Sequence, residues 1–226
     1  WYFFDYVSLY QFKRSLEAAE KSFRRSMKNM HLMFAHEHTS TLRIESLTPP
    51  AEMRMDALVA VYHAPSGQVK PVPVTDLIAN RTAYVDRGWC VAEKNWSSTR
   101  SLGSASKEID EDEVDTAGQV PMPPEVYVPR FKEKLQFTHR SDMATVLTLC
   151  DKVFHEKAQK MEVWKLTKLS RSEAEVALEA LQHFPVLRRL EITGSRFGAV
   201  ESFLLMFFEA VSKTVITEIS LAENEL

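Results

Sequence analysis

Two stretches near the C-terminal end of the chain are in register at five positions. Leu187-x-x-Leu190-x-Ile192-x-x-Ser195-x-Phe197 returns as Ile216-x-x-Ile219-x-Leu221-x-x-Asn224-x-Leu226, every position displaced by 29 residues. The alternation at Leu190 and Ile192, and again at Ile219 and Leu221, turns those side chains to one face of a short strand. Between the strands, Val200, Phe203, Leu204, Phe207, Phe208 and Val211 follow helical spacing and form one apolar stripe. A strand, a helix and a second strand at fixed pitch are expected to bring Leu190–Ile192 and Ile219–Leu221 together in parallel.

This spacing resembles the leucine-rich repeat, whose period runs from roughly 20 to 29 residues. The long end of that range is like the ribonuclease-inhibitor type, with one strand and one full helix per repeat. In that family an asparagine follows the strand because its amide bonds free backbone groups in the bend. Asn224 stands at that place, and Ser195 takes it in the first copy with less bonding capacity. About three repeats are needed for stability, so the preceding stretch is expected to be a first, atypical unit. Its strand would be Val163, Trp164 and Leu166, in poor register. Its helix would carry Ala177, Leu178, Leu181 and Phe184, opened by a capping box at Ser170-x-x-Glu173 and ended by Pro185. The array is expected to continue beyond Leu226.

Bulk properties narrow the class. The 226 residues are 45% hydrophobic and 26% charged, with a net charge of -3 and a pI near 6.2, as in ordinary soluble globular chains. Neither a nucleic-acid nor a membrane partner is suggested by that balance. No apolar run approaches the roughly 20 residues that span a bilayer. Cys90 and Cys150 read as free thiols in a reducing compartment, and a cytoplasmic location is expected.

Along the chain, Trp1–Tyr6 reads as a buried strand and Ser8 to Gln11 as a loop. Leu16 to Ala35 reads as an amphipathic helix with a basic outer face, and Thr41 to Glu45 and Val59 to Tyr62 as strands. Pro71 and Pro73 bracket an extended stretch, and Tyr84 to Trp96 reads as a helix. Residues 99–129 are rich in acids and prolines and read as a solvated linker. Ser141 to Met161 resumes helical order, with Met143, Val146, Leu147, Cys150, Val153 and Phe154 on one face. The expected organisation is residues 1–98, the linker 99–129, and a connecting helix with repeats over 130–226.

Tyr84-Val-Asp-Arg-Gly-Trp-Cys-Val-Ala-Glu93 resembles the Y-x-x-S-x-W-C-x-x-E segment of Toll/interleukin-1 receptor (TIR) domains, with Tyr84, Trp89, Cys90 and Glu93 on matching places. Arg87 stands where that family has serine, and residues 47–81 are inserted ahead of the motif. Trp1 to Asp5 looks like the second TIR strand, with the family's first strand absent from this chain. The run Asp5, Ser8, Leu9, Gln11 is also similar to the opening of the related heterokaryon-incompatibility domains. The resemblance implies an α/β fold: an incomplete TIR-like, flavodoxin-like parallel sheet with helices, followed by the start of a leucine-rich-repeat solenoid. In TIR families that cleave NAD, the glutamate of W-x-x-x-E is catalytic, which makes Glu93 the candidate and Asp5, Ser8, Tyr84 and Trp89 candidate substrate-binding residues. The chemistry is self-consistent. Breaking a nicotinamide glycosidic bond builds oxocarbenium character on the ribose, a carboxylate stabilises it, and the cationic leaving group requires no general acid. Equally open are packing roles for Trp89 and Cys90, and an exposed Glu93 or one paired with Arg87 or Lys94.

The resemblance implies two functions. One is an intracellular interaction or signalling protein, with protein partners on the repeats and self-association through the TIR-like part. The other is an NAD-cleaving hydrolase, with NAD as substrate and no resident cofactor. His31, His36 and His38 lie beside Glu37, but spacings of five and two do not share a helical face. Only a helix ending between them would converge the rings. They are read as surface or capping histidines, and no metal is expected.

Overall fold

The structure is a computed structural model, and it describes residues 16–47, 54–63, 66–77, 81–102, 105–110, 119–137, 140, 142–195 and 201–224. Two compact units divide the chain. The first comprises Trp1–Met30 and Leu47–Arg81, the second His31–Ser46 and Thr82–Leu226. The expected strand at Trp1–Tyr6 and the loop at Ser8 to Gln11 lie outside the described residues.

Helix α1 (Glu17–Phe34) opens on acids, Glu17 and Glu20, that suit the positive end of a helix dipole. In the first unit, β2 (Leu58–His63) and β3 (Gln68–Pro73) form an antiparallel hairpin in which Leu58 faces Pro73 and His63 faces Gln68. Gly67 in its turn has φ 64, a left-handed value that suits a residue without Cβ.

The second unit begins with β1 (Thr41–Arg43), which pairs in parallel with β4 (Ser106–Glu108). Within this unit the chain between them includes the 3-10 turn Tyr84–Asp86 and α2 (Gly88–Ser98). The continuous helix expected over Tyr84 to Trp96 is therefore interrupted at Arg87. The backbone there bridges to Gln136, with Gln136 N–H donating to Asp86 O and Gly88 N–H donating to Gln136 O, which pulls the chain out of helical geometry. Gly88 suits this contact because a Cβ there would lie 2.1 Å from the Phe137 ring. Helices α3 (Pro124–Phe131) and α4 (Asp142–Ala158) pack with α2 around Trp96, Tyr127, Val146, Cys150 and Val153, all buried.

Residues 99–129 are not solvated throughout, as their composition suggested. Thr99, Arg100, Ser106, Gln119, Val120 and Tyr127 are buried. Ser101 O accepts the N–H of Lys165, and Leu102 bridges to Lys165, so the stretch lies along the edge of the next sheet. Thr99 and Arg100 are accommodated there because their side chains donate to backbone carbonyls, and Ser106 because its hydroxyl accepts from Arg43. The acidic positions 111–118 lie outside the described residues.

That sheet contains β5 (Val163–Thr167), β6 (Arg189–Thr193) and β7 (Glu218–Ser220) in order β5-β6-β7, all parallel. The expected pairing of Leu190 with Ile219 is present, at the 29-residue displacement of the repeat. Val163 and Trp164 join at a shorter displacement, Trp164 beside Leu190 and Leu166 beside Ile192. Helices α5 (Arg171–Leu181) and α6 (Glu201–Ser212) cover one face, with Trp164, Leu166, Leu190, Ile192, Ala177, Phe203 and Phe207 in a shared core. Phe208 departs from the apolar stripe expected of α6: it is 53% exposed, while Phe203, Phe207 and Val211 are buried.

The bends after the three strands are built alike. Each holds one residue at left-handed φ, Lys168 (50), Gly194 (65) and Glu223 (58), and the next residue turns inward. Asn224 Oδ1 accepts Ser195 N–H at 2.7 Å and its Nδ2 donates to Ile192 O at 2.8 Å. Ser195 Oγ accepts Leu169 N–H at 2.9 Å, one bond where asparagine makes two. Ser170 caps α5 by accepting Glu173 N–H, but the Glu173 carboxylate accepts Val120 N–H instead of closing the box on Ser170. Burial pushes the Glu173 carboxyl above the usual range against that bond.

Candidate functional site

Strands β1 and β4 run in parallel and end together. Arg43, the last residue of β1, is buried; its Nε donates to Glu45 at 2.6 Å and its guanidinium also donates to Ser106 Oγ. Past the strands, the Asp110 carboxylate accepts the N–H groups of Glu45, at 2.5 Å, and Ser46. Lys94, on α2, reaches Glu45 at 3.7 Å. This polar knot ties the two strand ends to α2, the helix that carries Glu93.

Tyr84 and Glu93 come together beside it. Burial raises the Tyr84 phenol above its ordinary value, and neighbouring Glu93, Cys90 and Glu45 add to that against the opposing charge of Arg43. The phenol therefore stays protonated across the physiological range and is a hydrogen-bond donor next to a half-buried carboxylate. A neutral phenol and a carboxylate are groups that can bind sugar hydroxyls and face developing positive charge.

The other members of the sequence motif divide. Trp89 Nε1 donates to Asp142 on α4 at 3.2 Å and its ring meets Trp96 edge-on at 6.3 Å, so the indole is engaged in packing. Arg87 Nε donates to Thr82 O at 2.8 Å. Asp5 and Ser8 lie outside the described residues. Cys90 and Cys150 are both free; burial pushes the Cys150 thiol up to about 11, which leaves it unreactive at neutral pH. Arg43, Glu45, Ser106 and Asp110 escaped the sequence reading, because Arg43 and Ser106 meet across 63 residues and no local pattern links them.

The histidines require a correction. His31 is neither on the surface nor a cap: it is 2% exposed and meets the edge of Trp96 at 6.2 Å. Because α1 ends at Phe34, between His31 and His36, all three histidines line one cleft. Among the described residues, no group of three or more His, Cys, Asp or Glu side chains could hold a metal ion.

The solvent face of the three-stranded sheet is a second candidate surface. Lys165, Glu191, Arg189 and Glu218 form a ladder across the strands, with Lys165–Glu191 at 3.1 Å, Arg189–Glu191 at 2.7 Å and Arg189–Glu218 at 3.4 Å. Lys165, with Arg189 beside it, holds the Glu191 carboxyl below the usual range. Exposed pairs of this kind add little stability. No helix among the described residues is long and apolar enough to cross a membrane. Comparison with known proteins finds no matching family model, no matching curated relative and no matching solved structure.

Proposed function

We propose that this chain is an intracellular, cytoplasmic interaction protein in which a TIR-like, flavodoxin-type α/β part is coupled to a leucine-rich-repeat array. The carrying observation is the thrice-repeated unit of parallel strand and left-handed bend at Lys168, Gly194 and Glu223, with Ser195 and Asn224 bonding each bend to the one before. A solenoid built this way offers its strand face to partners, here the face bearing the Lys165–Glu191–Arg189–Glu218 ladder. Self-association through the TIR-like part belongs to the same reading.

A photo-crosslinking side chain at Thr193, on that face, tests it in extracts of the source cells. A specific protein adduct is expected, and the double variant Lys165→Glu, Arg189→Glu is expected to lose it while keeping its far-UV dichroism. An adduct pattern indifferent to the charge reversal would count against recognition by this face.

A second reading, an NAD-cleaving hydrolase, is supported by the W-x-x-x-E spacing of Trp89 and Glu93 and by the electrostatic influence of Glu93 on the Tyr84 phenol. Glu93 would face the oxocarbenium-like ribose and Tyr84 would donate to a sugar oxygen. On this reading Glu93→Ala lowers NAD turnover by about 100-fold or more, followed as nicotinamide release. A folded, concentrated sample that releases no nicotinamide, with or without Glu93, would sink it.

A further inference from the structure

The cleft that gathers the three histidines has a volume of about 800 Å³ and lies wholly within the second unit. That is within the range of sites for drug-sized molecules, roughly 300 to 1,000 Å³. Its lining shares no residue with the Tyr84–Glu93 neighbourhood.

Two kinds of surface meet in it. The apolar part comes from Leu32 on the last turn of α1 and Ala35 just past it, Val153 on α4, and Met161 and Val163 where the chain enters β5. Leu32 is 54% exposed and Val163 36%, so apolar area is already paid out to solvent there. The polar part is one rim. His36 Nδ1 accepts the N–H of His38 at 3.1 Å; in a neutral imidazole the proton then sits on Nε2, which is a donor. Lys157 and Lys160 stand at the C-terminal end of α4, where cations suit the helix dipole.

The rim carboxylates are unequal. Glu37 is committed: Lys157 Nζ lies 2.5 Å away, and the Ser101 N–H and hydroxyl donate to it at 2.9 and 2.8 Å. Burial would raise the Glu37 carboxyl, but those donors overcome it and hold it low. Glu156 lies 3.9 Å from Lys152 on its own helix. Glu162 and Lys160 are exposed charges of opposite sign at the mouth, and neither forms an ion pair among the described residues. The donors His36, His38 and Lys160 therefore outnumber the one uncommitted acid beside them.

We propose that this cleft binds an amphipathic organic anion, with an aromatic or acyl body against Leu32, Met161 and Val163 and an acidic head toward His38 and Lys160. The wall is pre-formed, because the Glu37–Lys157–Ser101 clasp ties the turn after α1 to the end of α4.

The test uses anilinonaphthalene sulfonate, a fluorescent dye with a flat apolar body and a fixed anion, titrated into the folded chain. Saturable one-site emission is expected. Lys160→Gln weakens it and Glu162→Gln tightens it, each by about fivefold, the scale of one screened charge contact. Leu32→Asp abolishes saturable binding. Phe208→Ser, on the exposed face of α6, leaves it unchanged, which separates the cleft from dye adhering to that surface. Absence of saturable emission overturns the proposal. So does equal binding of uncharged phenylnaphthylamine, or charge variants that shift affinity in the opposite directions. Loss of the signal in Phe208→Ser with Leu32→Asp unaffected would also overturn it.

Discussion

Trp164→Ala is expected to lower the unfolding free energy by about 3–5 kcal/mol, the scale for removing a large aromatic side chain from a packed core. Trp164 is fully buried, stacks on Phe184 with ring centroids 4.7 Å apart, and lies beside Leu190 in the parallel register. The surrounding core is tight: the void among Trp164, Leu166, Leu190, Phe203 and Phe207 is only about 10 Å³. Neighbours on rigid strands cannot collapse into the space an indole leaves. Since native domains have only about 5–15 kcal/mol in hand, the variant will be largely unfolded at modest denaturant concentration. Urea titration followed by far-UV dichroism measures this. A midpoint within experimental error of the unmodified chain would mean that the three strands do not share one core.

Arg100→Ala should have the next largest effect, a loss of about 3–5 kcal/mol, the scale of two hydrogen bonds from a charged group to buried carbonyls. The guanidinium is fully buried. It donates to Ser97 O at 2.8 Å and to Thr39 O at 2.5 Å, joining the end of α2 to the turn before β1. Burial brings its pKa down to about 10, partly offset by the charge of Glu37, so it remains a cation at neutral pH. Lysine at this position should fail to rescue, since one ammonium cannot repeat a planar fork aimed at two carbonyls. Thermal unfolding of Arg100→Ala, Arg100→Lys and the unmodified chain decides it. Arg100→Lys matching the unmodified chain would show that charge alone, without the fork, is enough.

The parts of the fold that repeat were the legible ones. Leu190, Ile192 and Ile219 announced both a strand and its register, because the same strand-and-bend unit recurs and its displacement becomes visible in one dimension. The amide role of Asn224 was legible for the same reason, and the weaker bond of Ser195 followed from its chemistry. The strand β5 and its bend were blurred because Leu169 has no side-chain polar group and Lys168 takes the left-handed position without being glycine. Residues 99–129 misled because composition reports the average affinity for water. Arg100 and Ser106 are polar yet buried, each bonded to a partner over 60 residues away. The candidate site was half visible. Tyr84 and Glu93 lie close enough in sequence to read as one motif, whereas Arg43, Glu45 and Asp110 join them only through the parallel pairing of β1 with β4. The histidines needed one fact that spacing did not supply, that α1 stops at Phe34.

The three bends are spaced unevenly, Leu169 to Ser195 by 26 residues and Ser195 to Asn224 by 29, yet strand pairing and bend bonds are the same in kind. The difference falls outside the strand and its bend. The stretch from each bend to the next strand is 21 residues from Lys168 to Arg189 and 24 from Gly194 to Glu218. The strand and bend thus act as a ratchet of constant tooth, and that connecting stretch as slack between teeth. Insertions and deletions of a few residues can accumulate in that slack without shifting a side chain from one face of the sheet to the other. A lineage of such chains is therefore free to vary its outer, helical surface in length while keeping the inner one in alignment.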